Sequence, residues 1–182
     1  EKNLVFGDEE RMRNYSHDEV AGSEYARMPD LVVKPASARE VSEVLKIANR
    51  HRVPVTPRGG GTGLSCGAVP LYGGIVLSLE RMNRILEIDR ENMTAVVEPG
   101  VVTSEIGKAA REFGLFYAGY PMSFESCFIG GNLAENAGGG RAIKYGVTGH
   151  HVLGLEAVLP PGEIVQRGGK RVKAGTGSGL LH

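Results

Sequence analysis

The first half of the chain alternates short apolar runs with one amphipathic stripe. Apolar residues recurring at i, i+3, i+4 and i+7 predict a helix that ends near His51, and Ser37 followed by Glu40 forms a capping box at its start. Short apolar runs at residues 31–35, 53–57 and 73–79 predict strands around this helix and after the next loop. The chain is therefore predicted to open as strand–helix–strand, with a further strand after a glycine-rich loop.

The second half mixes hairpin and helix patterns. Residues 85–100 predict a hairpin, and residues 103–113 predict a helix with apolar side chains on one face and Gly114 at its C-terminal cap. Residues 152–160 and 163–167 predict a second hairpin, turned by a Pro-Gly pair. Strands mixed irregularly with helices favour an α+β fold over a regular doubly wound sheet.

The domain organisation follows from where these patterns change. Residues 1–30 are polar and predict a segment that wraps the surface and does not build the core. A weak boundary near Gly100 divides the rest into a first lobe, residues 31–100, and a second lobe, residues 101–182. The last residues, GGKRVKAGTGSGLLH, have a loop-like composition.

Charge and composition exclude several classes of partner. Lys plus Arg and Asp plus Glu both number 21, so the chain lacks the basic excess that nucleic-acid binding requires, and it contains no Trp for base stacking. The apolar runs are too short for a transmembrane segment, and the acidic N-terminus does not resemble a cleavable signal. Two cysteines without CxxC spacing indicate a reducing compartment, so we expect a cytoplasmic location, with peripheral membrane association left open.

Glycine is the unusual feature of the composition. The 27 glycines among 182 residues are about twice the share expected from the average of roughly 7%. In the RGGGTG run, Arg58–Gly63, consecutive glycines after a strand let backbone N–H groups point into one concavity that binds phosphate, with hydroxyl groups and the charge of Arg58 in support. A flexible structural turn is the alternative. The run does not match the phosphate loop of nucleotide triphosphatases, the Rossmann fingerprint or the kinase loop.

A second glycine cluster, IGGNLAENAGGG, follows about 70 residues later. There Asn132 is predicted to cap a short helix at residues 133–136, whose N-terminus would form a second site for an anion or a ring edge. Two such loops predict one long ligand that has a phosphate group and a second group bound by the other loop. A dinucleotide is a ligand of this kind.

Several collinear motifs carry a family resemblance that runs from about Leu31 to the end of the chain. They are VVKPASAREVSEVLKIA, PVTPRGGGTGLSCGAVP, GGIVLSLERMNRILEID, AVVEPGV, PMSFESCFIGGNLAENAGGGRAIKYGVT and VLGLEAVLPPGEIV. With these motifs the chain resembles the FAD-binding domain of the p-cresol methylhydroxylase/vanillyl-alcohol oxidase superfamily. Within it, the chain is most similar to the FAD-linked 2-hydroxyacid dehydrogenases of the glycolate oxidase and D-lactate dehydrogenase type.

The resemblance implies a two-lobed FAD-binding domain and a set of cofactor-binding residues. In the first lobe these are the diphosphate nest and its flanks, Pro57, Arg58, Gly59, Gly60, Gly61, Thr62, Gly63 and Leu64. Near the cofactor at the lobe junction they are Pro99 and Gly100. Around the flavin and ribityl region they are Pro121, Ser126, Cys127, Gly130, Gly131, Asn132, Asn136 and Gly138, and the backbone of Ile164 would meet the adenosine end.

The chain also departs from the family pattern. Thr62 stands where relatives with covalent flavin have a histidine, so FAD is expected to be non-covalent, and Cys127 is expected to be a buried thiol and not a flavin link. Cys66 stands where glycine is common. Gly149-His150 and Ser178-Gly179 replace the family's usual pairs, and no metal site is expected at His150-His151 because adjacent strand residues point to opposite faces.

The length implies an N-terminal portion only. Family members continue with the rest of the FAD domain and a cap domain that binds substrate, so no catalytic residue is predicted in these 182 residues. The resemblance implies oxidation of a 2-hydroxy acid by hydride transfer to FAD, with the acid bound by the missing cap region and with an iron–sulfur or other electron-acceptor subunit as partner. The alternatives are a non-catalytic FAD-binding subunit or fragment, or another reaction on this fold, such as that of an alcohol or phenol oxidase or an enolpyruvyl reductase.

Overall fold

The computed structural model describes residues 5–20 and 22–169, and these residues form two compact units. The first unit contains the chain up to Met82 together with Val158–Glu163, and the second contains Asn83–Ala157 and the residues from Ile164 onward. The chain thus divides after Met82, whereas the boundary expected from the sequence lies near Gly100. The predictions for the C-terminal GGKRVKAGTGSGLLH run fall almost entirely outside the described residues.

A four-stranded mixed sheet organises the first unit. The elements of this unit are β1 (Val5–Phe6), α1 (Glu9–Met12), β2 (Leu31–Val33), α2 (Ala38–His51), β3 (Val55–Arg58) and β4 (Ile75–Ser78). The strand order is β1-β2-β4-β3, with β2, β4 and β3 parallel and β1 antiparallel to β2. Helix α1 precedes β2 in the chain and α2 follows it.

Helix α2 begins and ends as its sequence predicts. The Ser37 side chain accepts a hydrogen bond from the Glu40 N–H at 3.2 Å, and the Glu40 carboxylate accepts one from the Ala36 N–H at 2.8 Å. At the other end Arg52 takes a left-handed φ of 55°, and the Val53 N–H donates to the Ala48 carbonyl at 2.9 Å. Because the Val53 N–H is bonded to the end of the helix, β3 starts at Val55, two residues later than the apolar run predicts.

The core of the first unit includes part of the N-terminal segment. Val32 and Val76, from adjacent parallel strands, are fully buried, and Met12 of α1 packs against them with Tyr15 beside it. The segment was expected to lie on the surface because it is polar. This expectation is wrong for Met12, because its long apolar side chain packs against the sheet.

The second unit combines short helices with two pairs of strands. β5 and β6 form an antiparallel hairpin, and β7 pairs with β8. The bounds are Ile85–Asp89 for β5, Thr94–Val97 for β6, Thr103–Glu112 for α3, Ile129–Ala134 for α4, Ala142–Tyr145 for α5, Gly154–Val158 for β7 and Ile164–Gly168 for β8. The last residue of β7, Val158, is counted with the first unit. The mixture of strands and helices confirms the α+β prediction.

Two local predictions in the second unit are wrong. Helix α4 begins at Ile129 after Phe128, so Asn132 lies inside the helix and does not cap it. His150 and His151 lie in a 3-10 turn, Thr148–His151, and not on a strand. Among the described residues, no helix has both the length and the apolar character needed to cross a membrane.

Candidate functional site

The glycine loop of the first unit lies at the carboxyl edge of its parallel strands. β3 ends at Arg58 and the loop starts at Gly59, while β4, which pairs with β3, ends at Ser78 at the same edge. Parallel α/β sheets bind ligands outside the carboxyl ends of their strands. The position of the loop is therefore that of a ligand site.

The loop of residues 59–64 contains backbone N–H groups without a backbone acceptor among the described residues. In the described part of the chain, none of their N–H groups donates to a backbone carbonyl. Gly60 and Leu64 are exposed, and Thr62 and Gly63 are partly exposed, so an outside acceptor can reach the loop. Since backbone N–H groups of this kind bind anions, the loop fits the diphosphate of a dinucleotide.

Gly61 has no room for a side chain. Its φ is +70°, and a Cβ built there would lie 2.1 Å from Nη2 of Arg58. The positive φ favours glycine at this position, and any side chain there would also have to displace the Arg58 guanidinium. The positive φ and the nearby guanidinium at Gly61 explain why the loop needs a residue without a side chain there.

The Arg58 side chain packs against the loop at Gly61. Its guanidinium is buried and donates from Nη1 to the His17 carbonyl at 2.7 Å and from Nη2 to the Asn14 carbonyl at 3.0 Å. Burial lowers the pKa of Arg58, although the neighbouring Tyr15, Asp18 and Glu80 act in the opposite direction. The sequence suggested a charge offered to phosphate, whereas the structure shows two guanidinium donors bonded to protein carbonyls.

Lys34, which follows β2 at this edge, is paired. Lys34 donates to Oε1 of Glu80 at 2.6 Å, while Tyr15 and Ser78 donate to Oε2 of Glu80, each at 3.0 Å. Burial is the largest influence on the pKa of Glu80 and raises it, but the hydrogen bonds from Lys34, Tyr15 and Ser78 together lower it below its ordinary value. Lys34 is thus held by Glu80, whereas the N–H groups of the loop have no backbone acceptor among the described residues.

Arg58→Lys tests the supporting role. A lysine keeps the charge, but its single ammonium cannot reproduce the fork that reaches both carbonyls, so unfolding should become easier by about 1–3 kcal/mol. Urea denaturation of both proteins measures this. We expect FAD affinity to fall together with stability. Unchanged stability with a lower FAD affinity would instead place Arg58 on a phosphate.

The second glycine cluster belongs to the second unit, where it is tied to the start of α3. The Thr103 N–H donates to the Cys127 carbonyl at 3.0 Å, and the Ser104 N–H donates to the Phe124 carbonyl at 3.0 Å. These two carbonyls satisfy N–H groups of the first helical turn, which have no partner inside the helix. The segment before α4 is thereby fixed against α3.

A buried polar network joins three side chains in this region. The Asn132 side-chain amide donates to Oγ1 of Thr103 at 2.6 Å, and Oγ1 of Thr103 lies 3.2 Å from Sγ of Cys127. All three residues are buried, which confirms the buried thiol expected at Cys127. Asn132 and Cys127 thus have protein partners, and a role for them in holding the cofactor would be indirect.

The glycines of this cluster meet different surroundings. Gly130 donates its N–H to the Pro99 carbonyl at 2.8 Å, and a Cβ there would lie 2.6 Å from Cβ of Pro99. At Gly131 a Cβ would meet nothing within 4 Å, and at Gly138 it would make only ordinary contacts with Val147 and Ala142. Close packing therefore explains Gly130, whereas Gly131 faces open space that a ligand can use.

The remaining predicted residues differ in exposure. Gly100 and Pro121 are buried, whereas Ser126, Asn136 and Ile164 are exposed. Asn136 adopts a left-handed φ of 48°, and its side-chain oxygen accepts from the Gly149 N–H at 2.9 Å. Within the second unit, Gly130 contacts Pro99 directly. Cys127 and Asn132 are joined through Thr103 of α3.

Sequence reasoning missed the residues that support the first loop. Asn14, Tyr15, His17 and Asp18 lie in a polar segment without periodicity, and Glu80 follows a strand without belonging to a motif. Their importance comes from contacts with residues more than 40 positions away. The sequence carries no local signal for such contacts.

Comparisons with known proteins show which family the chain resembles. A family model described as an FAD binding domain matches residues 29–168. The chain is 50% identical over 159 residues to glycolate oxidase subunit GlcD of Bacillus subtilis, covering 87% of this chain and 33% of that protein. It is 49% identical over 152 residues to a D-lactate dehydrogenase of Archaeoglobus fulgidus, covering 84% and 34%. The chain therefore spans about a third of the length of these curated relatives.

Solved structures share the fold. An alkyldihydroxyacetonephosphate synthase superposes with a TM-score of 0.82 at 25% identity, covering 91% of this chain and 32% of that chain. The 6-hydroxy-D-nicotine oxidase of Arthrobacter nicotinovorans gives a TM-score of 0.75 at 26% identity, covering 90% and 35%. p-Cresol methylhydroxylase, at 23% identity, a TM-score of 0.69 and coverage of 90% and 32%, shares the fold alone.

Proposed function

Because the chain belongs to the FAD binding domain family, we propose that it is the FAD-binding part of an oxidoreductase that converts a 2-hydroxy acid to the 2-oxo acid. The family match covers residues 29–168 and confirms the resemblance found in the sequence. FAD, when bound, supplies the hydride acceptor. The single observation that carries the proposal is the loop of residues 59–64, whose backbone N–H groups lack backbone acceptors among the described residues.

The residues of this chain bind and orient the cofactor in the proposal. The loop N–H groups hold the diphosphate, Arg58 holds the loop, and Thr62 offers no imidazole for a covalent flavin link. Gly131, with open space in front of it, lets a flat or extended group approach the second unit. We assign no catalytic residue and expect the substrate acid to bind through chain beyond these residues.

The substrate class comes from the relatives. Proteins named glycolate oxidase subunit, D-lactate dehydrogenase and D-2-hydroxyglutarate dehydrogenase are between 37% and 50% identical to this chain. Each name contains a small 2-hydroxy acid. The word subunit in one name also supports a partner chain.

A second candidate is a different oxidation on the same fold. It is favoured by the superposition with 6-hydroxy-D-nicotine oxidase, whose name contains no hydroxy acid, at a TM-score of 0.75. An FAD-binding chain that acts only with a partner is compatible with either reaction.

A chimera tests whether this chain can position FAD for the oxidation of a 2-hydroxy acid. The matching third of the Archaeoglobus D-lactate dehydrogenase would be replaced by this chain, and flavin absorbance would be recorded without oxygen. We expect bound FAD that is bleached by D-lactate, for which the rest of the chimera supplies the substrate site, while the 182-residue chain alone binds FAD and is not bleached. A chimera that binds FAD but is not bleached by D-lactate would contradict the hydroxy acid proposal. Failure of both proteins to bind FAD would overturn the cofactor site itself.

A further inference from the structure

A short N-terminal segment, residues 14–19, packs against the glycine loop, and we call it the N-terminal strap. Its Asn14 and His17 carbonyls accept the two hydrogen bonds from Arg58, and the Glu19 N–H donates to the Gly63 carbonyl at 3.0 Å. The family model begins at residue 29, so the strap lies outside the part of the chain that the family match covers. The strap nevertheless contacts the loop directly at Gly63, and it also binds Arg58, the residue just before the loop.

Asp18 of the strap has an unsatisfied oxygen beside this loop. The residue is 6% exposed, and its Oδ1 accepts from the Val20 N–H at 3.0 Å. Its buried Oδ2 receives no hydrogen bond from any residue that the structure describes. This Oδ2 lies 4.0 Å from the position that a Cβ on Gly63 would occupy. A buried carboxylate oxygen without a donor is costly, so a donor from outside the described residues would be favourable there.

The surroundings restrict what that donor can be. The guanidinium of Arg58 is bonded to Asn14 and His17, and Lys34 is paired with Glu80. A phosphate oxygen is an acceptor with negative charge, and a carboxylate repels it. A hydroxyl group can donate to the carboxylate while the phosphate to which it is linked occupies the N–H groups of the loop.

We infer that Asp18 is a direct ligand of FAD and accepts a hydrogen bond from a hydroxyl group next to the diphosphate. The inference rests on the proposed FAD binding. FAD carries hydroxyl groups on both sides of its diphosphate, in the ribityl chain and in the ribose of adenosine. The chemistry is the same for both, and the carboxylate makes the site selective for a diphosphate that carries hydroxylated carbon chains over a bare pyrophosphate.

Calorimetric titration of the 182-residue chain with FAD, ADP and inorganic pyrophosphate tests this. Asp18→Ala should weaken FAD binding about tenfold or more, because an acceptor to a bound hydroxyl is lost. Pyrophosphate binding should stay the same or become tighter, because a negative charge is removed. Asp18→Asn, which keeps an acceptor oxygen, should bind FAD more tightly than Asp18→Ala. A loss for both FAD and ADP assigns the ribose hydroxyl, and a loss for FAD alone assigns the ribityl chain.

Asp30→Asn is the matched control. Asp30 lies in the same unit, and its Oδ2 already accepts from the Gly74 N–H at 2.6 Å, so this substitution should leave the ratio of FAD to pyrophosphate affinity unchanged. Equal weakening of FAD and pyrophosphate by Asp18→Ala, or unchanged FAD binding in both Asp18 variants, would overturn the inference while the proposed function stands. A wild-type chain that binds no FAD would overturn both.

Discussion

Replacing Gly61 by alanine is expected to destabilise the glycine loop and weaken its binding of FAD. An alanine at φ +70° costs roughly 1–2 kcal/mol from its backbone conformation alone. Its Cβ would also displace the Arg58 guanidinium, 2.1 Å away, and disturb two charge-assisted hydrogen bonds worth about 1.5–3 kcal/mol each. We expect a loss of about 3 kcal/mol or more in unfolding free energy, measured by urea denaturation, with FAD affinity at least tenfold weaker.

Gly63→Ala provides the control in the same loop. Gly63 does not have a positive φ, and the nearest described neighbour of its Cβ position is the Asp18 carboxylate at 4.0 Å, an ordinary contact distance. Unfolding free energy should therefore change by less than about 1 kcal/mol. If both alanine variants were equally stable, Arg58 and the positive φ would not be what requires glycine at position 61.

Met12→Ala is expected to destabilise the first unit strongly, although Met12 comes from a segment whose sequence is polar. Its side chain is 6% exposed and packs against Val32 and Val76, which are fully buried. Shortening it leaves a cavity next to the sheet, and such substitutions cost about 2–5 kcal/mol. Thermal or urea denaturation measures the loss. The strap lies just after Met12, so FAD affinity should fall with stability.

Met122→Ala is the same substitution at an exposed position. Met122 is 89% exposed, so the change should alter unfolding free energy by no more than about 0.5 kcal/mol. A Met12 variant as stable as the Met122 variant would show that the N-terminal segment does not contribute to the core and would restore the surface role expected from the sequence.

Local patterns predicted those elements whose causes are local. Helix α2 depends on its capping box and on one apolar face, all within 15 residues of Ser37, and the structure reproduces both. Gly114 follows α3 at φ +72°, as its predicted position at the cap requires. Where contacts were not local, prediction failed: Gly130 packs on Pro99, 31 residues earlier in the chain, and α4 starts at Ile129 and includes Asn132.

Cys66 shows how sequence and structure inform each other. The sequence showed a cysteine where glycine is common in the family it resembles. In the structure Cys66 has a φ of +60°, a conformation that glycine adopts without cost and that other residues adopt with strain. The preference for glycine at this position thus follows from backbone conformation, and the cysteine is accommodated at a cost in strain.

Local patterns were enough to predict the α+β class, most of the helices and strands, the family and the glycine loop, because periodicity, caps and glycine runs depend on neighbouring residues. The role of Arg58 and the contribution of the described N-terminal segment emerged from long-range contacts in the folded chain. Burial and hydrogen bonding join Arg58 to Asn14 and His17, and Met12 to the sheet, across distances that no local pattern records. The buried oxygen of Asp18 beside Gly63 likewise became visible only when the partners of each polar atom were known.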